Sequence, residues 1–210
     1  REGNVEGIAW VAGGHGPQPP FEPMLILSDD LILHSGPLLA VQGLTTALQR
    51  AIASGQQVIT AEVMPPRGGD ASHTLTMADH LRGRVHAINV TDGSRAVMRM
   101  SSLAVCRLLL DRGLEPVLQL ACRDRNRLAL QADLLGAHAL GIHNLLCLTG
   151  DPVRAGDQAD ARPVNEFESV KLLRQVMAFN HGKDPVKADL PDGATPVSYT
   201  HLRAHETAMY

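Results

Sequence analysis

The chain has 210 residues, of which 44% are apolar, and this length and composition suffice for one globular domain with a sizeable core. Its 19 basic and 22 acidic residues give a net charge of −3, which offers no reason to expect nucleic acid or an anionic membrane as a partner. No apolar run approaches the roughly 20 residues that a membrane span needs, and the first residues lack the charged-then-apolar order of a signal peptide.

The three cysteines, Cys106, Cys122 and Cys147, are far apart in the sequence and lie in apolar stretches. Such an arrangement favours buried free thiols over disulfide bonds or a metal centre. We therefore predict no metal site and expect a reducing, cytoplasmic location.

Residues 1–44 show no clear hydrophobic period, and residues 13–20 have the glycine and proline content of a loop. We treat 1–44 as an unassigned segment or linker. The first residue is Arg1, so we expect the sequence to continue upstream unless translation starts at Met24. A short helix is predicted over residues 44–54, ended by Gly55.

From residue 57 onward the pattern becomes regular. Strands are predicted at residues 58–63, 85–90, 116–120 and 143–148, and helices at residues 73–83, 95–112, 124–139 and 166–179, the third helix capped by Asp124. In the second predicted helix, one face carries Val97, Met100, Ala104 and Leu108. A strand followed by a helix thus repeats about every 30 residues, as the crossovers of a parallel sheet require.

A doubly wound sheet and a (β/α)8 TIM barrel both fit this α/β spacing. The first strand lacks the G-x-G-x-x-G turn of a dinucleotide-binding sheet, which favours the barrel. Polar residues also end several strands, where barrel active sites are built: Glu62, Thr91, Gln119 and Asp151. A full barrel needs about 250 residues. We therefore predict that residues 45–196 form a barrel truncated to about its first four units.

Glu62 is the first candidate for chemistry. Strand alternation puts it on the same face as Val58 and Thr60, where burial would raise its pKa and suit it to general acid catalysis. The alternative is an exposed glutamate at the mouth of the strand, paired with an arginine such as Arg67.

Other candidates follow the later strands. Asp151 could accept hydrogen bonds from a ring such as a pterin, with Gly150 allowing close approach, or could serve only the turn. The loop from Thr91 to Ser94 could bind a phosphate or ribose, or could contain a helix cap at Ser94. We expect the charged run at residues 123–127 to be mostly a solvated loop and helix start.

Four segments resemble methylenetetrahydrofolate reductases, most closely the branch fused to a homocysteine S-methyltransferase domain. They are residues 60–68 (TAEVMPPRG), 118–126 (LQLACRDRN), 134–142 (LLGAHALGI) and 146–152 (LCLTGDP). They occur in the family's order, and together they are specific although no single segment would be.

The resemblance implies a role for each matching residue. Glu62 corresponds to the glutamate that protonates the folate as its methylene bridge opens, and Asp151 to the aspartate that contacts the pterin and tunes the flavin. The implied cofactor-binding residues are Thr91, Ser94, Gln119, Thr149, Gly150, Asp151, Asn165 and Glu166. Gln119 stands where many members have histidine, and Asp92 replaces a common aromatic residue.

The implied reaction reduces 5,10-methylenetetrahydrofolate to 5-methyltetrahydrofolate by ping-pong hydride transfer from NAD(P)H through FAD. We expect the 210-residue chain by itself to be inactive, with open sheet edges at the first and fourth strands that favour self-association, including a homo-oligomer. The alternatives are a pterin-binding methyltransferase barrel without flavin, and a barrel module within a fused homocysteine methyltransferase.

Residues 197–207 (VSYTHLRAHET) resemble one translated frame of the transposon-end adapter used in sequencing libraries. We therefore treat residues 197–210 as a non-native tail and expect them to pack against no particular part of the fold.

Overall fold

The computed structural model describes residues 46–180, 182–183 and 200–203, the last range by its backbone. The segment 1–44 and most of residues 184–210 lie outside the described residues. The predicted start of the first helix at residue 44 also falls there.

Five parallel strands form one sheet in the order β1-β2-β3-β4-β5. They are β1 Thr60–Val63, β2 Ala87–Val90, β3 Pro116–Ala121, β4 Asn144–Leu148 and β5 Thr200–Arg203. A doubly wound sheet would reverse its strand order at a switch point, whereas a barrel adds each strand beside the previous one. The sequential order therefore confirms the barrel interpretation, and the chain forms part of a (β/α)8 barrel.

The helices between the strands cover one face of the sheet. They are α2 Ser72–Asp79, α3 Ser102–Asp111, α4 Arg127–Ala139 and α5 Ser169–Asn180. The main core lies between these helices and the outward-facing strand residues, which include Ile88, Val90, Leu118, Leu120, Leu145 and Cys147. Both the strand positions and the alternation agree with the predicted pattern.

A short helix, α1 Ala47–Ala53, packs against the other face of the sheet. Its side chains Leu48 and Ala51 contact a second apolar cluster formed by Val58, Ala87, Val117 and Leu146. These strand residues lie near the amino-terminal ends of the strands. We call this arrangement the floor of the barrel.

Glu115 fixes the start of α1. Its carboxylate accepts hydrogen bonds from the backbone N–H groups of Ala47 (2.5 Å) and Leu48 (2.9 Å), and from the Asn144 side chain (3.0 Å). Thr46 adds a capping box with Gln49. The backbone N–H groups in the first turn of α1 therefore have a carboxylate as their acceptor. The helix dipole favours negative charge at this end of the helix.

Two helix predictions were wrong in detail. The helix expected from residue 95 begins at Ser102, because Arg95 and Ala96 have positive φ angles and residues 97–101 are not helical. Its buried face carries Val105, Cys106 and Leu109; of the predicted face, Met100 and Leu108 pack against the core, whereas Ala104 is exposed. The cap of α4 is Asn126, which accepts a hydrogen bond from the Ala129 N–H, and not Asp124.

The prediction for the tail was also wrong where the structure describes it. The backbone of β5 pairs in parallel with β4, from Asn144 beside Thr200 to Cys147 beside Arg203. The outer edge of β4 is therefore covered and not open. Whether the segment derives from an adapter is a separate prediction, which this pairing does not test.

The three cysteines are free and buried, as predicted. Burial raises the pKa of the Cys106 and Cys147 thiols, which keeps both protonated and inert. None of the helices in the described part of the chain combines the length and apolar character needed to cross a membrane.

Candidate active site

The inward face of the sheet becomes polar toward the carboxyl ends of the strands. Beyond the apolar floor it carries Thr60 and Glu62 from β1, Asn89 from β2 and Gln119 from β3. Asn89 Nδ2 donates to Thr60 Oγ1 at 3.1 Å, and Gln119 Nε2 donates to Glu62 Oε2 at 3.0 Å. Alternation therefore delivers predicted site residues from separate strands to one surface.

Glu62 is half-buried, and its hydrogen-bond partner is Gln119. Burial raises the pKa of the Glu62 carboxyl, while the Gln119 hydrogen bond opposes that rise by stabilising the ionised form. Arg67, the alternative partner, instead pairs with Asp157 at 2.5 Å. The interpretation of Glu62 as one half of an Arg67 ion pair is therefore wrong.

Thr91 follows β2 and is 2% exposed. Its hydroxyl has no hydrogen-bond partner among the described residues. A buried hydroxyl without a partner is costly, so this atom has unused capacity to bind a ligand.

The loops after the strands form a rim around this surface, comprising residues 64–71, 91–101, 122–126 and 149–168. Asp151 Oδ2 accepts a hydrogen bond from the Arg95 N–H at 2.5 Å, which joins the second loop to the fourth. Asp157 binds Arg67 through one oxygen and the Met98 N–H, at 3.0 Å, through the other. These carboxylates tie three rim loops together.

Ser94 begins a short 3₁₀ turn, Ser94–Ala96, whose cap is Gly93 with no side-chain cap bond. The interpretation of Ser94 as a helix cap is therefore wrong. Its neighbours Arg95 and Ala96 have φ angles of 57° and 56°, which is strained backbone for residues other than glycine.

Gly150 has a φ of +98°, and a Cβ atom there would come within 2.8 Å of Arg123 Cβ and 3.4 Å of Ala121 Cβ. The close approach at this glycine is therefore made by the chain's own β3 loop. Next to it, Thr149 Oγ1 accepts a hydrogen bond from the Ser169 N–H at 3.2 Å, at the start of α5.

Asn165 and Glu166 lie at the far side of the rim and are exposed. The Asn165 N–H donates to the Arg123 carbonyl at 3.4 Å, and Asn165 has a φ of 46°. Glu166 Oε2 accepts from the Arg127 N–H at 2.9 Å, so this carboxylate sits at the start of α4. The hydrogen bonds of both residues go to Arg123 and Arg127, whereas Glu62 is hydrogen-bonded to Gln119.

The charged run at residues 123–127 is mostly an exposed loop and helix start, as predicted, but the prediction was wrong for two of its arginines. Arg123 is 5% exposed. Arg125 is half-buried between Asp92, at 2.6 Å, and Asp133, at 2.8 Å. Asp92 also accepts from the Ala121 N–H at 2.8 Å. Asp92 is thus part of an ion-pair network.

Sequence reasoning missed Arg123, Arg125 and Asp157 as parts of the rim. Arginines and aspartates in a loop usually face water, and loops have no sequence periodicity that would identify the buried ones. The sequence did carry one signal, because several arginines and aspartates lie near one another in the segments that follow the strands. This pattern could have suggested ion pairs between loops.

A cleft of about 480 Å³ opens on the rim, lined mostly by the loop after β2 and by residues 123–125. Its lining combines apolar groups such as Met98 and Met100 with the charged side chains of Asp92, Arg99, Arg123 and Arg125. Glu62 does not line it. Within the described ranges, no group of three or more His, Cys, Asp or Glu side chains could hold a metal ion.

Sequential parallel strands, an apolar floor and polar residues at the carboxyl ends of the strands define part of a (β/α)8 barrel, a class of fold whose active sites lie at those ends. The model of the methylenetetrahydrofolate reductase family matches residues 47–186, two-thirds of the chain, beginning at the first residue of α1. The chain therefore belongs to the methylenetetrahydrofolate reductase family. No curated protein gives a significant match.

Proposed function

We propose that this chain supplies the first strands of an FAD-dependent reductase that converts 5,10-methylenetetrahydrofolate to 5-methyltetrahydrofolate with NAD(P)H. The observation that carries the proposal is Glu62, an inward-facing carboxyl with a raised pKa in a chain of this family. Buried free thiols support a reducing compartment such as the cytoplasm.

FAD would supply the hydride-transfer chemistry that protein side chains lack. The Thr91 hydroxyl, which has no partner among the described residues, and the Gln119 amide would hydrogen-bond the flavin, and their polar character supports this proposal. Ser94, Thr149, Gly150, Asp151, Asn165 and Glu166 complete the proposed binding set. Thr149 and Glu166 already accept backbone hydrogen bonds, so we expect them to contribute mainly by positioning their loops.

Glu62 would act as the general acid. A carboxyl with a raised pKa retains its proton closer to neutral pH, and can release it to the folate nitrogen as the methylene bridge opens. Gln119 holds the carboxyl in place through its hydrogen bond to Oε2.

Asp151 would bind the pterin ring. Its Oδ2 is held by the Arg95 N–H, which orients the carboxylate at the rim. A carboxylate fixed in this way can accept further hydrogen bonds from ring N–H donors.

The decisive experiment replaces Glu62 by glutamine in a protein whose barrel is complete. Glu62→Gln keeps the shape of the side chain and removes its transferable proton. We expect reduction of bound FAD by NAD(P)H to be nearly unchanged, and the folate half-reaction to fall by about 10²–10⁴-fold. Rapid mixing observes each half-reaction separately.

Gln131→Glu is a matched control, because Gln131 is a half-buried glutamine on α4 that bonds Gln175 and lies away from the inward face. It should leave both half-reactions unchanged. Equal slowing of both half-reactions in Glu62→Gln would instead mean that Glu62 maintains the structure. An unchanged folate step would contradict the assignment of Glu62 as the acid.

A further inference from the structure

Arg123 is the most deeply buried charged side chain of the rim, and its side chain is 6% exposed. It lies two residues after the end of β3 and reaches between the loops that follow β2 and β4. Burying a guanidinium is costly unless its donors are satisfied, so its partners show what the structure uses it for.

Two backbone carbonyls from different loops accept hydrogen bonds from the same Arg123 nitrogen. Nη1 donates to the carbonyl of Gly93, in the loop after β2, and to the carbonyl of Asp151, in the loop after β4, each at 3.3 Å. One planar group thus fixes the separation of the loops that carry Thr91, Ser94 and Asp151.

Asp124 holds the guanidinium from the outer side. Its oxygens accept from Nε at 2.8 Å and from Nη2 at 2.5 Å, a two-point contact that sets the plane of the group. The hydrogen bond and charge of Asp124 raise the pKa of Arg123, against the lowering effect of burial.

Two glycines allow this placement. A Cβ atom at Gly93 would lie 2.8 Å from Arg123 Nη2, and one at Gly150 would lie 2.8 Å from Arg123 Cβ. The Arg123 carbonyl also accepts from the Val164 N–H at 2.8 Å and the Asn165 N–H at 3.4 Å, which adds the segment before α5. Arg123 therefore contacts three rim segments that carry proposed flavin and folate ligands.

We propose that Arg123 is a positioning residue of the active site, which sets the geometry of the β2 and β4 loops for binding FAD and folate. This inference rests on the proposed function. Arg123 acts through backbone carbonyls, and the reacting groups belong to other residues.

The test compares Arg123→Lys with Arg107→Lys in a protein whose barrel is complete. A lysine keeps the charge but cannot present several donors in one plane to Gly93, Asp151 and Asp124. Arg107 is an exposed arginine on α3 that pairs with Asp111 and the Leu140 carbonyl, outside the rim. The readouts are backbone amide exchange and the dissociation constant for FAD, measured by flavin fluorescence.

We expect Arg123→Lys to accelerate exchange at residues 91–96 and 150–155 while β3 keeps its protection. The dissociation constant for FAD should rise by about 10- to 100-fold, as expected for losing buried hydrogen bonds to a charged donor. Arg107→Lys should change neither readout.

Unchanged exchange in both loops, with unchanged FAD binding, would overturn the inference, and so would equally faster exchange throughout the sheet. A wild-type protein that binds no FAD would overturn the proposed function, while loop exchange would still test Arg123. If Arg123→Lys does not fold, Asp124→Asn removes the outer anchor and should loosen the same two loops. No loosening there would also overturn the inference.

Discussion

At the scale of single residues, the protonation of Glu62 is set by two opposing effects. Burial raises the pKa of its carboxyl, and the Gln119 N–H donor lowers it by favouring the ionised form. A general acid must be protonated, so the folate half-reaction should slow as pH rises through the pKa of Glu62.

Gln119→Leu should move this alkaline limit to higher pH. The substitution removes the donor that stabilises the carboxylate, so the pKa of Glu62 rises further and the acid form persists at higher pH. The pH profile of the folate half-reaction, recorded by rapid mixing, measures the shift. Gln131→Leu, on α4, is the control and should leave the profile in place. A limit that moved to lower pH would contradict the assigned role of Gln119.

Gly150→Ala should destabilise the protein more than Gly83→Ala does. Both glycines have positive φ, +98° and +71°, but a Cβ at Gly83 meets nothing within 4 Å while one at Gly150 meets Arg123. We expect Gly83→Ala to cost about 1 kcal/mol for backbone strain. Gly150→Ala should cost about 1–3 kcal/mol more for overpacking. Urea unfolding measures both, and equal costs would mean that Arg123 can move away.

The position of a site residue was predictable from the sequence only where the periodicity of a strand determines which face its side chain lies on. Strand alternation put Glu62 on the inward face, and the structure places Gln119 beside it. Arg123 was misjudged because its burial depends on carbonyls from two distant loops, and local sequence carries no record of such contacts.

At the scale of elements, α1 depends on a residue outside itself. It has seven residues, too few for stable helix formation alone, so tertiary contacts must hold it. Glu115→Ala removes the acceptor of the Ala47 and Leu48 N–H groups, and should lower the free energy of unfolding by about 1–2 kcal/mol. Amide exchange should accelerate most within Ala47–Ala53.

Asp111→Ala is the control for this prediction. Asp111 is also a carboxylate, but its partner is Arg107, and this exposed pair on α3 should contribute less than about 1 kcal/mol. Exchange in α1 that is unaffected by Glu115→Ala would show that the apolar contacts of Leu48 and Ala51 hold the helix without the cap.

The strands followed from the spacing of apolar runs, because each strand is buried on its helix-facing side. Their order did not follow from the spacing and was predicted from the missing G-x-G-x-x-G turn and the polar strand ends. Helix ends were less predictable. α3 starts at Ser102 because the strained residues Arg95 and Ala96 redirect the chain, and tertiary contacts such as the Asp151 bond to the Arg95 N–H sustain that strain. The pairing of β5 with β4 was missed because residues 200–203 were judged by their resemblance to an adapter.

At the scale of the whole molecule, the sheet has an edge at β1, which pairs only with β2 among the described strands. An exposed strand edge promotes association between chains. Ile59, directly before β1, is 37% exposed and adds an apolar side chain at this edge. We expect the 210-residue chain to self-associate at micromolar concentration, as measured by light scattering after size-exclusion chromatography.

Ile59→Lys should reduce this association, because a charge at a strand edge opposes pairing. Leu128→Lys is the control, since Leu128 is 72% exposed on α4, away from the edge. A monomer in the wild type, or equal effects of the two lysines, would contradict association through β1.

The six residues of β3 separate Glu115, which holds the floor, from the loop that contains Arg123. At about 3.3 Å per residue, the two ends of the strand lie roughly 20 Å apart. Changes at such a distance with no shared partners have additive energies. Substitutions in the floor can therefore raise the thermal stability of the barrel, while substitutions in the rim loops alter its substrate preference. The two sets of substitutions can be selected or engineered independently.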